Sequence, residues 1–138
     1  MTDVLYIEDN ANEADVFARL MRKKLQSIDY KIANSGTEML QYLREADEQN
    51  DGLPRLILMD INMNGMNGFD VIRELRNNSR TRLVPIIAFS TSDSPNDVRK
   101  AYQLGVNAYL IKPGGYQSTG ELLERTFAFW LADNIRSY

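Results

Sequence analysis

Leu56-Ile57-Leu58-Met59-Asp60 decides the reading of this chain: four successive apolar residues end abruptly in a carboxylate. A short, wholly apolar run of that kind suits a strand buried on both faces, as in a parallel sheet covered by helices. The next residues, Ile61-Asn62-Met63-Asn64-Gly65-Met66-Asn67-Gly68, form a glycine-bearing turn, so Asp60 sits on a rigid strand end. Three other runs repeat the pattern: Val4-Leu5-Tyr6-Ile7 enters Glu8-Asp9, Ile86-Ile87-Ala88-Phe89 enters Ser90-Thr91, and Ala108-Tyr109-Leu110-Ile111 enters Lys112-Pro113. If these strands are parallel members of one sheet, their polar ends share one edge and converge on one crevice.

Between the runs lie amphipathic segments. Asn10 is placed to cap a helix, with Glu13 reaching back from the third helical position and Phe17, Leu20, Met21 and Leu25 on its apolar face. Tyr30 to Ala33 reads as the second strand. Ser35-Gly36-Thr37-Glu38 is a capping-box pattern, and Met39, Leu40 and Leu43 face the core until the polar stretch Asp47 to Gly52 ends the helix. Phe69, Ile72 and Leu75 mark a third helix. Ser94-Pro95 predicts an N-cap before a first-turn proline, with Val98, Ala101 and Tyr102 facing inward and Gly105 ending the segment. In the last helix Leu122, Leu123, Phe127, Trp130 and Leu131 fall on one stripe. Five strands alternating with five helices through right-handed crossovers give an α/β domain with helices on both faces of a parallel sheet. Periodicity leaves the strand order open; the order 2-1-3-4-5 would set the strands ending at Asp9 and Asp60 side by side at the switch point where such folds bind ligands.

The chain of 138 residues is about one domain in size, with no internal repeat or long linker. It contains no Cys and no His, so disulfides, thiolate or imidazole metal sites, a Cys nucleophile and a phosphohistidine step on this chain are all excluded. Sixteen Lys and Arg against nineteen Asp and Glu give a net charge of −3 without a basic block, which argues against direct nucleic-acid binding. The N-terminal Thr2-Asp3 lacks the flank of an export signal, and no apolar run reaches the length of a membrane span of about 18 residues. The expectation is a soluble, cytoplasmic protein.

Three carboxylates in one crevice, Glu8, Asp9 and Asp60, repel one another unless a cation sits among them. A hard divalent ion with oxygen ligands answers this, and magnesium, which accepts one or two carboxylates beside a phosphoryl oxygen, suits phosphoryl transfer. Ser90 and Lys112 supply the hydroxyl and ammonium that phosphoryl oxygens on Asp60 would need. Pro113 biases Lys112 toward extended backbone at the strand end.

These residues, in this order, resemble the receiver domain of bacterial two-component response regulators, in particular stand-alone receivers similar to the chemotaxis regulator. The resemblance covers nearly the whole chain and implies a flavodoxin-like fold of order 2-1-3-4-5, with residues 1–138 forming one receiver domain and no output domain. It implies Asp60 as phosphoacceptor and Mg²⁺ held by the carboxylates of Asp9 and Asp60, the Asn62 backbone carbonyl and, through water, Glu8. Ser90 and Tyr109 would be the switch residues, and Lys112-Pro113 the lysine with its proline, joined in the family by a peptide that is usually cis. Phe89-Ser90-Thr91-Ser92, the segment Tyr102 to Asn107 and Phe129-Trp130-Leu131 also look like the single-domain regulators that partner bacterial phytochrome kinases. Four positions depart from the family pattern: Asn64 stands where proline is usual, Asn67 where aspartate is common, Thr91 where a smaller residue follows the switch hydroxyl, and Ser90 where threonine is commoner, which keeps the hydroxyl.

The implied function is acceptance of a phosphoryl group from a sensor histidine kinase, with no enzymatic activity beyond its own phosphotransfer and dephosphorylation, and a change in the surface of the fourth helix, fifth strand and fifth helix. Homodimerisation is expected on that surface, with Phe127, Phe129 and Trp130 as contacts. The rival is a receiver-shaped scaffold or dimerisation module that works without phosphorylation. A haloacid-dehalogenase-type phosphatase needs a second acid two residues after the nucleophile, where this chain has Asn62. A flavodoxin-like flavin binder needs a phosphate loop after the first strand, where Glu8-Asp9-Asn10 would repel it.

Overall fold

The computed structural model describes residues 2–48, 52–63 and 67–137. The apolar runs become strands β1 (Val4–Ile7), β2 (Tyr30–Ala33), β3 (Leu56–Met59), β4 (Ile86–Ser90) and β5 (Ala108–Ile111). They form one parallel sheet in the order β2-β1-β3-β4-β5. Helices α1 (Ala11–Lys24), α2 (Gly36–Glu48), α3 (Gly68–Asn77), α4 (Pro95–Leu104) and α5 (Tyr116–Phe127) alternate with them, and α5 continues into a π-helical turn, Ala128–Asp133.

Side chains that alternate along each strand separate the core into two layers. Leu5, Ile7, Ile57, Met59, Ile86 and Ala88 pack with Met39, Leu43, Val71, Ile72 and Leu75 from α2 and α3. Val4, Tyr6, Leu56, Leu58, Ile87 and Phe89 pack with Phe17, Leu20 and Met21 of α1 and Leu123 and Phe127 of α5. Central strands covered on both sides explain why β1, β3 and β4 read as unbroken apolar runs. The less buried β2 and β5 lie at the edges.

The caps follow the sequence in part. Asn10 Oδ1 accepts from Glu13 N at 3.0 Å and Ser35 Oγ from Glu38 N at 3.0 Å, as expected of N-caps. Glu13 does not close a capping box, because the Asn10 amide donates to Glu8 and the Glu13 carboxylate is bound by Lys112. Asn67, a departure from the family pattern, is the side-chain cap of α3. Ser94 makes no side-chain cap; Ser92 Oγ reaches Asp97 in the first turn of α4 at 2.6 Å instead.

Other expectations are corrected by packing. Tyr102 is 49 % exposed, since α4 is covered by the sheet on one side only and Ala101 takes the inward position. Phe127 is 2 % exposed and belongs to the core, so it is no surface contact; Phe129 is the exposed aromatic and Trp130 is half-buried beside it. Helix α2 runs to Glu48, into the polar stretch expected to end it, and residues 49–51 and the departure at Asn64 lie outside the described residues. The Lys112–Pro113 peptide is trans rather than cis, the isomer an X–Pro bond prefers when nothing imposes the other.

Candidate functional site

Parallel strands deliver their C-terminal residues to one sheet edge. Ile7 lies opposite Met59, so Glu8 and Asp60 leave neighbouring strands together. The register of Ser90 with Ile111 likewise sets Ser90 next to the strand that leads into Lys112, whose amide donates to the Ser90 carbonyl at 2.8 Å. Ligand oxygens of Glu8, Asp9 and Asp60 all fall within 4.8 Å of one another.

Glu8 is fully buried and held from three sides. Its Oε1 accepts from Tyr6 O–H at 2.9 Å and from the Lys112 ammonium at 2.6 Å, and its Oε2 from the Asn10 amide at 3.2 Å. A buried charge needs this compensation, because an unpaired carboxylate would carry a large desolvation cost. Burial, reinforced by the negative charge of Glu8, pushes the Tyr6 phenol far above its usual range, so Tyr6 is a permanent donor to Glu8.

Lys112 is the hub. Its side chain is 8 % exposed, and its ammonium contacts Glu8, Glu13 at 2.9 Å and Asp60 Oδ2 at 3.5 Å. Burial alone would lower its pKa, but the bonds to Glu8 and Glu13 and the charges of Glu8 and Asp60 outweigh it and raise the pKa, so the ammonium stays charged.

Asp60 is buried beneath the edge, with Oδ1 accepting from the Asn62 amide at 3.2 Å. Asn62 was expected to present its carbonyl to a metal; the contact described is this amide, which orients the carboxylate. The Ser90 hydroxyl is wholly buried and accepts from the Ser92 amide at 3.1 Å. The Ser92 carbonyl in turn accepts from the Tyr109 hydroxyl at 2.9 Å, and the Tyr109 ring is half-buried. Both switch candidates are thus joined through one residue. Thr91 is exposed and lines a cleft of about 390 Å³ with Val16, Phe17, Phe89, Lys112 and Tyr116, on the α1 and α5 side of the site.

A divalent cation fits this donor set. Lys112 brings one positive charge to the four carboxylates of Glu8, Asp9, Glu13 and Asp60, which leaves a net negative cluster of hard oxygen ligands. Glu8 already has both oxygens engaged, whereas Asp9 stands half-exposed at the mouth.

A model of the response regulator receiver domain matches residues 4–125. The chain belongs to the response regulator receiver family. Among curated relatives, the probable methanogenesis regulatory protein FilR2 of Methanothrix harundinacea is 30 % identical over 131 residues, 95 % of this chain and 84 % of that protein. Among solved structures, the response regulator RPA3017 in red light signalling of R. palustris superposes with a TM-score of 0.87 at 29 % identity, covering 100 % of this receiver and 99 % of that chain. The phosphorylated cyanobacterial phytochrome response regulator RcpA gives a TM-score of 0.87 at 23 % identity, covering all of both chains, which is a likeness of fold. Among the described residues of this receiver no helix is long and apolar enough to cross a membrane.

The sequence alone did not assign Tyr6, Glu13 or Gly68 to the site. Tyr6 stands two residues before Glu8, the spacing that puts both on one side of a strand. Glu13 reads from sequence as a helix-capping residue. The Gly68 amide donates to the Ile61 carbonyl at 3.0 Å at the exit from Asp60, and only the turn composition hinted at it.

Proposed function

We propose that this receiver acts as a response regulator that takes a phosphoryl group on Asp60 from the phosphohistidine of a sensor kinase. The observation that carries the reading is the convergence of the Asp60, Asp9 and Glu8 oxygens within 4.8 Å beside the Lys112 ammonium. A carboxylate oxygen of Asp60 forms the O–P bond as the N–P bond to the kinase imidazole breaks, leaving an acyl phosphate on this chain and histidine on the kinase. Asp9 and Asp60, with Glu8 behind and the Asn62 carbonyl as a further ligand, would hold Mg²⁺, which would supply charge neutralisation at the phosphoryl oxygens. Lys112 offers its ammonium, and Ser90, whose oxygen accepts from the Ser92 amide, offers its O–H to a phosphoryl oxygen.

Movement of Ser90 toward the phosphoryl group removes the acceptor of the Ser92 amide, and the Ser92 carbonyl holds the Tyr109 hydroxyl. The chemistry is thereby coupled to Tyr109, which can turn inward and reshape the surface of α4, β5 and α5. Tyr102, Ile111 and Phe129 are exposed apolar residues on these elements and the turn after them, and they support self-association there. The phytochrome type of kinase is supported by the likeness to the red-light regulator RPA3017.

The test is incubation with acetyl phosphate and Mg²⁺ followed by intact mass. A gain of one phosphoryl group, absent in Asp60→Asn, is the expected result. No gain from either acetyl phosphate or a cognate kinase favours the scaffold instead; both donors are needed because the exposed Thr91 beside Ser90 would crowd the approach of a small donor. Light scattering with and without beryllofluoride tests self-association, and a monomer in both states removes it.

A further inference from the structure

We infer that Glu13 is a positioning residue that holds the Lys112 ammonium off Asp60 until a phosphoryl group on Asp60 draws it across. This rests on the phosphoacceptor reading of Asp60. An ammonium has three N–H donors. Two contacts of Lys112 are short, to Glu8 at 2.6 Å and Glu13 at 2.9 Å, whereas Asp60 Oδ2 lies at 3.5 Å, too far for a strong charge-assisted bond. The ammonium that must serve the phosphoryl group is therefore committed elsewhere before phosphorylation.

The two short partners are not equivalent. Glu8 is 0 % exposed and also fixed by Tyr6 and Asn10, so it serves as the pivot about which the lysine stem can swing. Glu13 is 38 % exposed, stands on α1 rather than on the sheet, and can exchange Lys112 for water at little cost. An aspartyl phosphate places about two negative charges and three acceptor oxygens where one carboxylate stood, so it outcompetes Glu13 but must displace it. Glu13 thus favours the unphosphorylated arrangement and sets part of the free-energy gap between the two states. Its acidity matters for this, while its place in the first turn of α1 needs only a helix-compatible residue.

Two measurements on the full chain decide it. The first is beryllofluoride affinity in Mg²⁺ for the unaltered protein and Glu13→Gln, each with Lys112 present or changed to Met. Glu13→Gln should tighten binding by about fivefold with Lys112 present, and by less than about twofold in Lys112→Met, as for residues coupled in one ion-pair network. Equal tightening in both backgrounds would mean that Glu13 acts as a general charge and not through Lys112, and unchanged affinity would remove any role; either overturns the inference. No binding by the unaltered protein overturns the phosphoacceptor reading and takes this inference with it.

The second measurement needs no phosphoryl mimic. The Lys112 ammonium ¹H–¹⁵N resonance of the metal-free protein should be protected from exchange and should shift or broaden in Glu13→Gln, with backbone amide shifts outside the site unchanged. An unmoved ammonium signal overturns the inference even where beryllofluoride binds. It also decides alone should Lys112→Met not take up the mimic.

Discussion

Gly68 lies directly against the backbone of Ile61: a Cβ on Gly68 would stand 2.6 Å from Ile61 Cα and 2.9 Å from the Asp60 carbonyl oxygen. Helix α3 therefore starts at van der Waals contact with the chain that carries Asp60, the proposed phosphoacceptor. Backbone rather than a flexible side chain fills the space, so relief requires the strand end to move. Gly68→Ala should lower the unfolding free energy by about 1–3 kcal/mol, the usual cost of overpacking. It should also slow phosphorylation of Asp60. Urea unfolding together with intact-mass time courses checks both, and a variant as stable and as fast as the parent removes any role for the close approach.

Ser92 links the two switch candidates, since its amide donates to Ser90 Oγ and its carbonyl accepts from Tyr109. Ser90→Ala leaves that amide without its acceptor, and Tyr109→Phe leaves the carbonyl without its donor. Tyr109→Phe should cost about 0.5–1.5 kcal/mol, the net worth of such a bond. The sharper expectation is uncoupling: Mg²⁺ with beryllofluoride should move the Tyr109 ring resonances in the parent but leave them in place in Ser90→Ala. Equal ring shifts in both proteins would show that the link runs by another route.

The sheet was legible because the central strands are buried on both faces, so Val4–Ile7, Leu56–Met59 and Ile86–Ser90 announce themselves as apolar runs that end at polar residues. Positions of Glu8, Asp9, Asp60, Ser90 and Lys112 then followed, because strand ends of a parallel sheet share an edge. What was not legible depends on which of two partners a side chain takes. Glu13 could bond back to Asn10 or across to Lys112, and only the distance of 2.9 Å settles it. Tyr102 and Ala101 are both compatible with an inward-facing turn of α4, but one side of that helix packs and the smaller residue takes it. Phe127 and Phe129 stand two residues apart and so on different faces of the helix end, which leaves Phe127 in the core and Phe129 exposed.

Metal binding should appear as stability. Glu8, Asp9 and Asp60 repel one another in the metal-free protein, and Asp9 is the half-exposed member of the three. Mg²⁺ at a hundredfold excess over its Kd should add about 2.7 kcal/mol by mass action. Asp9→Asn should lose that increment while matching or exceeding the parent's stability without metal. Thermal unfolding with Mg²⁺ and with a chelator measures the difference; a Tm increase in Asp9→Asn equal to the parent's would take Asp9 out of the ligand set.

Alkaline pH should destabilise the metal-free protein through Tyr6 and Lys112. Both have folded pKa values raised above the ordinary ones of 10.0 and 10.5, Tyr6 by burial and by Glu8, Lys112 by its carboxylate partners against the opposing effect of burial. A group whose folded pKa is raised holds its proton more tightly in the native state than in the unfolded chain. Its contribution is complete below the unfolded pKa and is lost as pH rises from there toward the folded value. Tyr6 should therefore take up to about 1.4 kcal/mol per pH unit from the unfolding free energy above about pH 10, and Lys112 should add to the decline above its ordinary value of 10.5. Tyr6→Phe removes one of these slopes and leaves Lys112 as a donor to Glu8 Oε1. Urea unfolding at pH 8 to 11 should then show a shallower alkaline decline in Tyr6→Phe than in the parent; identical slopes would mean that the Tyr6 phenol ionises as readily in the fold as out of it.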